Sequence, residues 1–224
     1  MKKGEIILPR GYISYSQYTL WRSSKAGYIS RYFMKGPELD SAELRFGKYI
    51  SWLLENDPTN PIIAHIPRYA VMEHRMLVRV GKVRVKGGID TFEPDTLAFR
   101  EDKTGIICPK NCTQKHKKCI KPWDQVMVRR HKQLPWYCMM IRAKYGKYNG
   151  HVFLDQIPTR YITHEVDERG INWKLEYKKI EMKGKVRSFK RVIAEWELDE
   201  LEKDMLVVAK EISTAYQEFL ISDI

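Results

Sequence analysis

In residues 87–105 the sequence sets an acid, Asp90, on one strand-like run and a second acid, Glu101, on the next, with Lys103 two positions further on. The runs, 86–92 and 97–103, flank a Glu-Pro-Asp-Thr turn in which proline presets φ and short polar side chains bond the local backbone. Side chains alternate along a strand, so Glu101 and Lys103 share a face while Asp102 points away from it. With Asp90 turned the same way, two carboxylates and an ammonium converge. A hard divalent cation such as magnesium takes oxygen ligands and keeps several waters. Asp90 and Glu101 could hold it, with the backbone carbonyl of Asp102 as a further ligand. Lys103 would then stand beside an attacked phosphate, where it could stabilise developing negative charge or place the attacking water. An acid-x-lysine triplet also arises freely in exposed hairpins as a surface ion pair, so these residues need support from the rest of the chain.

The 224 residues suffice for one sizeable domain, and no repeat, low-complexity tract or linker divides them. With 40 Lys and Arg against 28 Asp and Glu, the formal charge of +12 is that of a protein that approaches a polyanion. The basic residues gather: residues 115–132 hold seven Lys or Arg and one acid, as do residues 178–191. Lys115, Lys117, Lys118, Lys121, Arg129 and Arg130 are the candidates for contact with DNA phosphates. Neither run has the apolar face of an interfacial helix, and no apolar stretch reaches membrane-spanning length. The N-terminus carries no signal-peptide core. Of the four cysteines, three crowd into residues 108–119, which suits reduced thiols or a metal better than extracellular bridges. These features point to a soluble, cytoplasmic protein with nucleic acid as its leading partner and no membrane.

The elements that must position the acids can be read in order. Ser14 and Gln17 form a capping box for a helix whose aromatic face (Tyr18, Trp21, Tyr28, Tyr32, Phe33) belongs in the core, with a break near Gly27. A second helix spans about 41–55, with Leu44, Ile50, Leu53 and Leu54 as its buried stripe and Gly47 at a close packing point. Residues 71–89 read as two strands around a Gly81-Lys82 turn, leading into the acid-bearing hairpin. Residues 123–145 give one or two helices, kinked at Pro135 or starting near it, because an interior proline costs a helix about 3 kcal/mol. Strands are expected at 152–154, 161–165, 171–182 and 186–193, and a final helix carries Leu198, Leu201, Met205, Val208, Ile212, Ala215 and Phe219 at helical spacing.

Laid out this way, the motifs resemble those of the PD-(D/E)xK nucleases, within them the RecB-like branch and the small exonuclease-like proteins common in phage genomes. Gly87-Gly88-Ile89-Asp90 resembles the branch's glycine-then-Asp motif, and Glu101-Asp102-Lys103-Thr104-Gly105 its acid-x-Lys-Thr-Gly motif. Gln133-Leu134-Pro135-Trp136-Tyr137 resembles the Gln-x-x-x-Tyr motif that follows, preceded by Trp123. Residues 13–16 resemble the opening, 46–51 the second helix and 209–220 the closing helix. The resemblance implies an α/β, restriction-endonuclease-like fold, a central mixed β-sheet flanked by helices, over residues 1–224. In it, 108–122 form an inserted cysteine-containing basic loop, and 150–224 supply strands and a helix that pack on the core. It also implies a Mg2+- or Mn2+-dependent deoxyribonuclease, an exonuclease acting on DNA ends in phage-type recombination or repair, with a recombination partner protein and, if phage-encoded, a home in the host cytoplasm. Asp90 and Glu101 inherit the metal and Lys103 the catalytic ammonium. Gln133 and Tyr137 inherit a place near the substrate phosphate or in orienting Lys103.

Two departures accompany the resemblance. Many relatives have a metal-binding histidine four residues after the glycine of the second helix, where this chain has Ser51, a weaker ligand. Glu73 reads either as an accessory acid or as an exposed surface residue. Relatives with an iron–sulfur cluster have one early cysteine and three near the C-terminus, a set this chain lacks. Its own Cys108, Cys112, His116 and Cys119 could hold tetrahedral zinc, although the spacings are not those of a standard finger; otherwise they belong to a reduced, DNA-contacting loop. Two other functions stay open, a nucleic-acid-binding protein that has lost catalysis on a nuclease fold and a structure-specific endonuclease. Polarity, strand preference and oligomeric state are not set by the sequence.

Overall fold

The computed structural model describes residues 6–37, 42–61, 63–106, 123–159 and 186–222. A two-residue strand β1 (Ile13–Ser14) leads into α1 (Tyr15–Ser23), closed at its start by the expected capping box between Ser14 and Gln17. After α2 (Lys25–Tyr28) and a single π-helical turn, α3 (Ala42–Asn56) precedes two long antiparallel strands, β2 (Val71–Val80) and β3 (Val83–Glu93), joined at Gly81. β4 (Ala98–Ile106) follows, then α4 (Gln125–Arg130), α5 (Gln133–Tyr145), β5 (His151–Thr159), β6 (Arg187–Val192) and the long α6 (Glu195–Ser222). The mixed sheet runs β1-β3-β4-β5-β6, with β2 on the other edge of β3. β1 on β3 and β4 on β5 are parallel, and the remaining pairings are antiparallel.

Two apolar clusters cover the sheet. The larger gathers Val83, Val85, Ile89, Phe92 and Phe99 with α1, α5 and α6, and centres on the buried Trp136 and Tyr28. The smaller joins Tyr49, Ile50, Leu53 and Leu54 of α3 to Ile63, Ile66 and Ile157. Gly47 brings α3 close to β4, since a Cβ there would stand 3.5 Å from the Thr104 hydroxyl. Pro135 lies in the first turn of α5, where its missing N–H is not needed, so 123–145 form two helices rather than one kinked helix. Leu97 is not the first strand residue that its apolar character suggests. It turns back at φ 56°, and β4 starts at Ala98. The expected strands at 161–165 and 171–182 lie outside the described residues.

One property of this sheet places the site. Along the edge of β3 that faces away from β2, β1 covers Val85 and Lys86, and β4 covers Thr91 to Glu93. Gly87, Gly88, Ile89 and Asp90 lie between, without a ladder partner on that edge among the described residues. The glycine-then-Asp motif is thus the floor of a gap in the sheet.

Candidate active site

The β3–β4 ladder ends at Thr91 and Arg100, so Asp90 and Glu101, next in register, stand where the strands part. Asp90 fills the missing ladder bond with its side chain: Oδ2 accepts the backbone N–H of Asp102 at 2.6 Å. Its carboxyl is also hydrogen-bonded to that of Glu101. Glu101 is 3% exposed, and its Oε1 accepts a bond from the Lys103 ammonium. Burial raises the pKa of both acids, and the Glu101 carboxylate adds to the rise at Asp90; Lys103 opposes the rise at each. Burial works against the Lys103 charge, yet Glu101 and Asp90 hold its pKa above the ordinary value. Behind this group, Arg100 grips Asp155 of β5 through two bonds of 2.6 and 2.8 Å and Ser188 of β6 at 3.0 Å, which fixes β4 in register.

Helix α5 closes the other side. Gln133 and Tyr137, one turn apart, bond to each other, Nε2 donating to the phenol oxygen at 2.8 Å. The buried Tyr137 packs edge-on against Phe99 at 5.8 Å and feels the charges of Glu101, Asp90 and Glu73. The close approach depends on Gly87, where a Cβ would lie 3.0 Å from the Tyr137 ring and 2.9 Å from the Met140 sulfur. The structure therefore brings together Asp90, Glu101, Lys103, Gln133 and Tyr137. It also brings Ser51 of α3 to Glu73 of β2, whose carboxylate it hydrogen-bonds; Glu73 is half-buried rather than the exposed residue of the alternative reading.

Sequence reading missed two neighbours of Lys103. Tyr15, at the start of α1, lies within electrostatic reach of Lys103 and Glu101. His131, between α4 and α5, is packed against Trp123 at 5.0 Å, and its pKa is lowered to about 4 by burial and by the Lys103 charge, so it is a neutral imidazole at neutral pH. Tyr15 falls in the opening motif at 13–16 but is not singled out within it, and His131 carries no motif signal; the β1–β3 pairing and the α4–α5 corner put them there. Arg129 and Arg130 are exposed in the last turn of α4. Lys115, Lys117, Lys118, Lys121, Cys108, Cys112, His116 and Cys119 lie outside the described residues.

The donor set fits a hard divalent cation. Two desolvated carboxylates face each other, the Lys103 ammonium pairs with Glu101, and Glu101 Oε2 is buried with no hydrogen-bond partner among the described residues. Magnesium retains several waters, so a pair of carboxylates such as Asp90 and Glu101 meets its need for protein ligands.

Beside the acids, a cavity of about 430 Å³ opens against Gly87 and Gly88 and is lined by Arg10, Arg31, Arg75 and Lys86 together with Tyr12 and Tyr32. No helix among the described residues is long and apolar enough to cross a membrane.

No family model matches the sequence, and no curated protein matches it. Solved structures do match in fold. A protein from Eubacterium rectale, provisionally named an exonuclease, superposes with a TM-score of 0.51 at 10% identity, covering 96% of this chain and 84% of its own. A phage related exonuclease from Haemophilus somnus 129PT gives 0.51 at 11% identity, covering 92% and 83%. The chain thus has the expected restriction-endonuclease-like α/β fold, a mixed six-stranded sheet flanked by helices, and shares it with these two proteins.

Proposed function

We propose that this chain is a nuclease that hydrolyses phosphodiester bonds of DNA with Mg2+ or Mn2+, acting as an exonuclease on DNA ends. The observation that carries the reading is the meeting of Asp90, Glu101 and Lys103 where the β3–β4 ladder opens. Asp90 and Glu101, with the Asp102 carbonyl, would hold the cation; when bound, it supplies positive charge to the attacked phosphate and acidifies a water. Lys103, held by Glu101, presents an ammonium to the phosphate oxygens and stabilises charge as it develops. Gln133 and Tyr137 brace each other and limit water around the acids. The basic cavity brings the charges of Arg10, Arg31, Arg75 and Lys86 toward a strand's phosphates. Service in phage-type recombination or repair with a partner protein belongs to this reading.

The test is digestion of linear single- and double-stranded DNA with Mg2+ or Mn2+. Cutting that stops in EDTA and in Asp90→Ala and Lys103→Ala supports the reading; wild-type cutting that survives EDTA, or an undiminished Asp90→Ala enzyme, overturns it. Nicking of closed circles would assign an endonuclease instead. Ser51, standing where relatives carry a histidine, favours one second reading: a DNA-binding protein without catalysis, which would show salt-sensitive binding and no cleavage with any metal.

A further inference from the structure

Glu73, the third residue of β2, has φ at 50°, a left-handed conformation that an L residue with a side chain pays to adopt. Its neighbours hold their places in the ladder, Met72 opposite Thr91 and His74 opposite Ile89, so Glu73 lies directly across from Asp90 and alone leaves the pattern. The turn has a direction. Its carboxylate oxygen lies over β3 beside Gly88, 3.8 Å from where a Cβ there would be. The same carboxylate accepts a hydrogen bond from Ser51 on α3 and lines the basic cavity. Three acids, Glu73, Asp90 and Glu101, therefore stand side by side on β2, β3 and β4.

Resting on the nuclease reading above, we infer that Glu73 is the third carboxylate of the cation site, supplied from the strained position on β2 in place of the α3 side chain, Ser51, which steadies it by a hydrogen bond. The carboxylates do not close into a cage without the ion, so Glu73 reaches the cation directly on its arrival or through one of its waters. The strain, the register opposite Asp90 and the serine that holds the carboxylate share one explanation in this role. As a surface residue, Glu73 would need none of them.

Manganese binding to the full chain, followed by the electron paramagnetic resonance of the free ion and by calorimetry, tests this without any DNA. Glu73→Gln is expected to weaken Mn2+ binding about tenfold or more, and Ser51→Ala by less. Glu73→Gly is expected to weaken it equally while its Tm holds or rises, because glycine accepts the left-handed backbone freely. The double variant Glu73→Gln with Ser51→Glu, which returns the acid to the helix, is expected to regain most of the affinity. Wild-type affinity in Glu73→Gln, or no recovery in the double variant, overturns the inference while a defect in Asp90→Asn leaves the nuclease reading intact. If Asp90→Asn also binds Mn2+ as the wild type does, both fall.

Discussion

Replacing Asp90 by asparagine should strengthen the metal-free protein while removing its activity. Ionised Asp90 faces Glu101 in a buried gap, and every pH unit by which burial and that neighbour raise its pKa costs the charged native state about 1.4 kcal/mol. Asparagine copies the protonated acid. Its amide oxygen can still accept the Asp102 N–H, and its amide nitrogen can donate to Glu101. In EDTA near pH 9, a gain of ~1–3 kcal/mol over wild type is expected. Asp90→Ala relieves the same repulsion but strands the Asp102 N–H, at a cost of ~1–3 kcal/mol, so it should fall below Asp90→Asn by about that amount. Urea unfolding followed by far-UV circular dichroism measures all three, with DNA digestion run alongside. Saturating Mg2+ should reverse the order, since at a hundredfold excess over Kd the wild type gains about 2.7 kcal/mol that Asp90→Asn does not share. The reasoning fails if Asp90→Asn is less stable than wild type in EDTA, or keeps its advantage in Mg2+, or cuts DNA at the wild-type rate.

Three further expectations come from neighbouring contacts. The Asp90 pKa is raised, so its share of native stability is complete below the ordinary carboxylate range and is lost as pH climbs toward about 8. Native His131 is neutral, so protons on its unfolded imidazole give an opposing slope that fades above about pH 7.5. Metal-free stability should therefore fall as pH rises from about 7.5 through about 8, by ~1.4 kcal/mol per unit for each proton the native acids retain, and Mg2+ should flatten the fall in unfolding titrations. Gly87→Ala would press a methyl against Met140 and the Tyr137 ring; the methionine can yield but the ring cannot, so a loss of ~1–3 kcal/mol in urea and a reduced kcat are expected. Arg191→Met removes a buried guanidinium that donates to the carbonyls of Val128 and His131 and to Glu197, and should cost ~3–5 kcal/mol, read as a lowered Tm, because it leaves Glu197 without that partner and frees the α4–α5 corner.

The parts of this fold that were legible are those in which function or periodicity repeats locally. The capping box at Ser14, the β2–β3 turn at Gly81, the i, i+4 relation of Gln133 and Tyr137 and the apolar stripe of α6 are written within a few residues of sequence. Asp90, Glu101 and Lys103 could be paired because strand alternation and a turn are local too. What escaped depends on distant pairing. Tyr15 reaches Lys103 because β1 lies parallel to β3, and the cavity joins Arg10, Arg31, Arg75 and Lys86 from four separate stretches. The backward turns at Glu73 and Leu97 escaped because neither residue favours positive φ; the surrounding contacts impose it.

The gap at Gly87 to Asp90 has a mechanical side as well. Pairing between β3 and β4 is confined to Thr91–Glu93 and Ala98–Arg100, whereas β2–β3 and β4–β5 pair along most of their lengths. The sheet is built as two stiff plates on a short hinge, and Asp90 and Glu101 sit on opposite sides of its open end. An ion clasped by both would lock the hinge, so the same cation that prepares the reaction would set the angle at which the plates receive a strand of DNA.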